Sequence, residues 1–193
     1  MLFNWLKTLF ASIFKVSNTS PIDHKQTTTL AAPSLDSGQP VFKDNMNLTS
    51  YSTAIPFYPK LIDHLEMDHK HLIDLYINIG DTFSLKEFQL IPVQLVKFKE
   101  DLKAHLDTEN IKFYGYLEQN LKDQTQQFTE LRRFRKEMRS IERTVIKFLD
   151  HWIEFGVNRQ SAKSFKAEYD VIGAALIKRI ESEEKELYTM YVA

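Results

Sequence analysis

Apolar residues recur three and four positions apart over four long stretches of the chain, the period of a helix that buries one face. The first stretch opens at about Pro59, a favourable first helical residue, and is expected to end at Gly80, a favourable residue just past a helix. Ser84 and Glu87 have capping-box spacing and predict a short helix, which Pro92 breaks or kinks before a long helix reaching about Asn120. A third helix is predicted from about Gln124 to Phe155, closed by Gly156, and a fourth from after Ser161 nearly to the C-terminus. Short connections between long amphipathic helices imply antiparallel neighbours. The expected fold is therefore all-α, an up-down-up-down antiparallel four-helix bundle over residues 56–193.

Ahead of the bundle the pattern changes twice. Residues 1–15, MLFNWLKTLFASIFK, gather Leu2, Phe3, Leu6, Leu9, Phe10, Ile13 and Phe14 on one helical face, with Asn4, Lys7, Thr8, Ser12 and Lys15 on the other. This predicts an amphipathic N-terminal helix, too short to span a bilayer and without the marks of a signal peptide. Two readings stay open for it: a helix lying in a membrane interface, or one docked on the bundle or on a partner. Residues 16–55 turn to Ser, Thr, Asn, Asp, Gln and Pro without sustained periodicity and read as a flexible linker.

Composition narrows the chemistry. With 43% hydrophobic residues, a chain of 193 can bury one substantial core, and only 5 Gly and 6 Pro disfavour a turn-rich β fold. The absence of cysteine excludes disulfides, Cys-ligated zinc or iron–sulfur sites and a thiol nucleophile, so a metal would have to rest on His and carboxylates. Cysteine usage points to the cytoplasm, with peripheral attachment to the inner face of the membrane as the alternative. A formal charge of −1 supplies no global field for nucleic acid, and none is expected as a partner. No nucleophile elbow, phosphate loop or catalytic triad is present, and no enzymatic activity is expected.

The inward stripes carry the informative exceptions. The first helix presents Ile62, Leu65, His69, Leu72, Tyr76 and Ile79, and the second Leu95, Phe98, Leu102, His105, Glu109 and Phe113. The fourth presents Phe165, Tyr169, Ile172, Leu176, Arg179, Glu183 and Leu187. The third, with Phe134, Met138, Ile141, Val145, Phe148 and Trp152, offers nothing that ligates a hard metal. Two segments look like copies: HLDTENIKFY at 105–114 and RIESEEKELY at 179–188, where the second has a guanidinium in place of the first one's imidazole. His64, His71 and His151 fall off the stripes and read as partly exposed. Tyr76, Tyr114 and Tyr188 read as core.

DHKHLIDLY, HLDTENIKFYGYL and IKRIESEEKELYTMY together resemble the hemerythrin-like, or HHE cation-binding, family over roughly residues 56–191. The resemblance implies the bundle fold and a metal set of His69, His105, Glu109 and Glu183, with Arg179 standing where a second-half histidine belongs. A fixed positive charge there disfavours a second cation, so one iron fits better than two. A metal-free form also stays open, in which Arg179 forks onto Glu109 and Glu183 as a substitute cation. The functions implied are a non-catalytic sensor or regulatory binding module with a weakened or lost iron site, or an iron- or oxygen-binding protein using the retained half-site. LIDLYINIG and VIGAALIKRI are weakly similar to bacterial regulators that bind the housekeeping sigma factor, which adds a third reading, a bundle that regulates a protein partner. The basic run LRRFRKEMRSIERTVIK sets Arg133, Lys136, Ser140, Arg143 and Lys147 along one outer face, read either as a solvated surface or as a docking site for an acidic protein segment or anionic lipid.

Overall fold

The computed structural model describes residues 54–192; the amphipathic segment and nearly all of the linker lie outside the described residues. Five α-helices make four rods: α1 (Leu61–Ser84), α2 (Ile91–Thr108), α3 (Gly115–Leu121), α4 (Thr125–Phe155) and α5 (Ala162–Ser182). A widened π turn, Glu109–Tyr114, joins α2 to α3 in one rod, and a second, Glu183–Leu187, extends α5 into a final 3₁₀ turn at Tyr188–Met190. The α2–α3 rod lies against α1 and α4, and α4 lies against α5. The ring closes between α5 and α1, where Tyr76 and Tyr169 stack at 4.3 Å and each hydroxyl donates to the other residue's carbonyl, at 2.6 and 2.7 Å. No strand occurs among the described residues, and the four-helix bundle expected from the periodicity is what the chain forms.

The helix ends differ from expectation at one place. α1 does not stop at Gly80 but runs to Ser84, because its buried stripe continues through Ile79 and Thr82 and Phe83 packs on Phe88 and Phe165. That packing outweighs the roughly 1 kcal/mol penalty of an interior glycine. The capping box also fails to form: Ser84 Oγ donates back to the Gly80 carbonyl, and the Glu87 amide is taken by the Thr82 carbonyl. Pro92 sits in the first turn of α2, where its missing N–H costs nothing. At the far end of α4 the expected stop holds, with Gly156 at φ 66, a conformation that favours glycine.

Two apolar clusters fill the bundle. One gathers Tyr76, Phe98, Leu102, Val145, Phe148 and Ile172 with their neighbours, and the other Leu65, Phe113, Leu131, Phe134, Met138 and Leu187 with theirs. Between them, in the register of α1, α2 and α5, lies a polar layer: His69 follows Leu65, Glu109 precedes Phe113, and Glu183 precedes Leu187. On α4 the same level is held by Ile141, which packs against both clusters. Ile62, Ile141 and Leu176, expected inside, are only half-buried; on α1 Leu61 is buried next to Ile62.

Candidate metal centre

α1, α2 and α5 place His69, His105 and Arg179, and the first residues of the two π turns are Glu109 and Glu183. His69, His105, Glu109, Arg179 and Glu183 are 1%, 3%, 0%, 5% and 0% exposed, so none can satisfy its polar atoms with bulk water. A buried charge survives only with partners. Arg179 supplies them, donating from Nε to Glu183 Oε1 at 2.6 Å and from Nη2 to Glu109 Oε2 at 2.7 Å. The guanidinium thus ties α5 to the start of the π turn on the α2–α3 rod.

The histidines sit beside this fork. His69 Nδ1 lies 2.8 Å from Glu184 Oε1 and its Nε2 lies 3.3 Å from Glu183 Oε2. The Tyr188 ring stacks on it at 5.8 Å. His105 packs against His69 with ring centroids 4.8 Å apart, and its Nδ1 is 3.5 Å from Asp68, beyond good hydrogen-bond reach. Glu184 and Asp68 were missed in the sequence because each adjoins a more conspicuous residue. The signal available for them is chemical, since a histidine held in one orientation needs a carboxylate on its outer nitrogen.

Electrostatics distribute the charges. Burial pulls His69 downward, but Glu183 and Glu184 outweigh it and raise the imidazole to about 9. Burial lowers His105, against the upward pull of Asp68, and keeps it neutral. Glu109 is pushed up to about 8 by burial and then by the charge of Glu183. Burial acts upward on Glu183 as well, yet Arg179 and His69 hold it below the usual carboxylate range. Burial alone would lower the Arg179 guanidinium, but Glu183 and Glu109 reverse that and raise it. At neutral pH, Arg179 and protonated His69 thus face ionised Glu183, while Glu109 keeps its proton.

The donor set can be tested against a metal. Two cations would need Glu109 and Glu183 as bridges and imidazoles from all four rods. Instead the guanidinium occupies the space between the carboxylates, and α4 turns Met138, Ile141 and Val145 toward this level. A two-metal centre does not fit. One divalent ion fits better: His69, His105 and Glu183 each have a ligating atom within 4.8 Å of the others'. Glu183 Oε2 has no hydrogen-bond partner. Glu109 lies outside that group, and His64, His71 and His151 are exposed, as expected; His71 bonds Asp101 at 2.9 Å.

No curated protein and no solved structure matches this chain at a significant level. The model of the hemerythrin HHE cation-binding domain does match, over residues 60–191. That stretch runs from the start of α1 past the final 3₁₀ turn, and the chain belongs to the hemerythrin HHE cation-binding domain family.

Proposed function

We propose that this domain is a non-catalytic sensor or regulatory binding module in which Arg179 fills the role that a metal cation plays elsewhere in the family. The observation that carries the reading is the fork of Arg179 onto Glu109 and Glu183. A permanent cation on α5 balances ionised Glu183, bonds Glu109 and links two rods, which is the structural part of a bridging ion's work without its redox chemistry. The weak likeness to sigma-factor regulators supports a protein as the thing bound.

A specific observation favours a second reading. His69, His105 and Glu183 form a two-His, one-carboxylate set, and Glu184 orients the outer nitrogen of His69 as carboxylates do around bound metals. These three residues would hold a single ion, which would supply Lewis acidity or one-electron chemistry.

Metal analysis of the full chain, purified without chelators, decides between them. The first reading expects well under one iron per chain. It also expects Arg179→His combined with Ile141→His to bind iron roughly tenfold or more tightly than the parent, because two imidazoles then replace a fixed charge and an apolar side chain. One equivalent of iron in the parent, lost in Glu183→Ala, would establish the second reading and remove the first.

A further inference from the structure

The outer surface of α4 carries a line of cations that the proposed function leaves unused. Arg132, Lys136, Arg139 and Arg143 follow one another at steps of four, three and four residues, so they lie along one side of the helix, and all four are exposed. This line differs from the face expected from the sequence, which ran through Arg133. Arg133 is already neutralised by Glu130 and Glu137 at 3.0 and 2.9 Å, and Arg135 is paired with Glu118. None of the four forms an ion pair among the described residues; Arg132 covers the Phe128 ring. A shallow groove runs along them in which Glu118, already bonded to Arg135, is the one carboxylate. In a chain with 25 basic and 26 acidic residues, four adjacent unpaired cations are a local feature rather than a consequence of net charge.

We propose that this line is a docking surface for an anionic membrane, engaging lipid phosphates. Two observations favour a lipid surface over an acidic protein. Protein interfaces are organised around buried aromatic or aliphatic anchors, whereas the aromatic in this groove, Phe128, is half-buried and covered by Arg132, and the exposed Phe155 lies twelve residues beyond Arg143. Phosphate headgroups need no such anchor. The second observation is where the chain enters the bundle. Ile55 packs so closely over Gly115 that a side chain there would collide with it, and the Ile55 amide donates to Gln119 at 2.9 Å. Phe57 stacks on Tyr191 at 4.9 Å. The chain therefore arrives against α3, whose Glu118 pairs with Arg135 in the first half of α4, where the cation line begins. The 54 residues before Ile55 include the sequence 1–15, whose apolar positions and two lysines suit a membrane interface. Stable attachment without a spanning helix takes two weak signals, and these would be the two. No helix among the described residues is long and apolar enough to cross a membrane.

The test is co-sedimentation of the full chain with phosphatidylcholine vesicles containing about one-third phosphatidylserine. Binding is expected to the mixed vesicles, to weaken as salt is raised, and to be absent from pure phosphatidylcholine. Changing Arg132, Lys136, Arg139 and Arg143 together to Gln should lower the affinity at least about tenfold, since each basic residue near an anionic surface contributes about fivefold. The thermal midpoint should stay unchanged, because all four are exposed. Changing the exposed Lys60, Lys103, Lys163 and Lys178 to Gln removes the same charge outside α4 and should leave affinity within about twofold. Equal losses in the two sets would reduce the effect to net charge and overturn the proposal. It is also overturned if the four-Gln variant binds like the parent, or if the parent ignores the vesicles while binding a poly-glutamate peptide through the same four residues.

Discussion

The segments 105–114 and 179–188 fold alike and do opposite chemistry. Each delivers a buried nitrogen base one turn before a buried glutamate, and at each glutamate the helix widens into a π turn, Glu109–Tyr114 in one case and Glu183–Leu187 in the other. Widened turns of this kind recur where a helix has to aim a functional side chain. The backbone device is therefore duplicated even though its cargo is not: His105 is neutral, while Arg179 carries a fixed charge and bonds both glutamates. The helices that face the two segments differ in the same direction. α1 brings His69, whose ring packs on His105 of the first and whose nitrogens face Glu183 and Glu184 of the second, whereas α4 brings Ile141. The second segment thereby places a covalently attached cation against both glutamates of the layer, and the first supplies no counterpart to it.

The largest expected effect breaks the comparison at its charged half. Arg179→Ala would leave Glu109 and Glu183 buried without their shared donor, and removing one partner of a buried ion pair costs about 3–5 kcal/mol. His105→Leu removes a neutral ring whose nearest carboxylate, at 3.5 Å, is no firm bond, and should cost less than about 2 kcal/mol. Chemical denaturation of both variants gives the ranking. Replacing the triad together, Arg179→Met with Glu109→Gln and Glu183→Gln, should recover most of the loss, because the carboxylates that Arg179 satisfied go with it and His69 keeps Glu184 as its partner. A larger cost at His105 than at Arg179 would place the structural weight in the other half.

Periodicity made the bundle and the inward placement of the five polar residues readable from the sequence, since a histidine at position 69 between Leu65 and Leu72 has nowhere to point but inward. The fork of Arg179 was legible for the same reason: positions 109, 179 and 183 share one level, and a buried guanidinium has few partners available. The extent of α1 was not legible, because the aromatic contacts of Phe83 with Phe88 and Phe165 come from distant parts of the chain and override the local signals of Gly80 and Ser84. Glu184 was hidden for a different reason. It belongs to an acidic run, Glu181, Glu183, Glu184 and Glu186, and only the three-dimensional position of His69 singles it out. On the basic face of α4 the pairing of Arg133 with Glu130 and Glu137 was not legible, since helical spacing alone cannot tell paired cations from unpaired ones.

A smaller effect compares the two apolar clusters on either side of the polar layer. Tyr76 and Tyr114 are both buried, but the Tyr76 hydroxyl donates to the Tyr169 carbonyl whereas the Tyr114 hydroxyl has no partner. Tyr76→Phe keeps the stacked ring and removes one of two reciprocal bonds closing α1 onto α5, at a cost of about 1–2 kcal/mol. Tyr114→Phe removes an unpaired hydroxyl and should change stability by less than about 0.5 kcal/mol, or raise it. Equal losses at the two positions would mean that the Tyr114 hydroxyl has a partner in solution and that the two ends of the bundle close in the same way.

The finest test is the pH dependence of folding, because it reads the charge state of the layer itself. Glu109 is raised from 4.5 to about 8 and His69 from 6.5 to about 9. Below the unfolded values, both states hold these protons and nothing is lost. As pH rises past 4.5 the unfolded chain releases the Glu109 proton, and past 6.5 that of His69, while the folded protein keeps each until about 8 and about 9. Across that window the native state binds more protons than the unfolded state, so stability must fall as pH rises. The fall should be steepest between 6.5 and 8, where both differences act together. Glu183 and Asp68 are held low and work the other way: their contribution is present above the unfolded carboxylate value and disappears as pH falls through the folded one. A thermal midpoint that peaks near about pH 5 and declines by about 5 °C or more by pH 9 is the expected profile. Glu109→Gln should flatten the part below 8, and His69→Gln the part between 6.5 and 9. A midpoint that climbs from pH 5 to 8 would show that Glu109 is ionised beside Arg179, so that one guanidinium serves two negative charges instead of one.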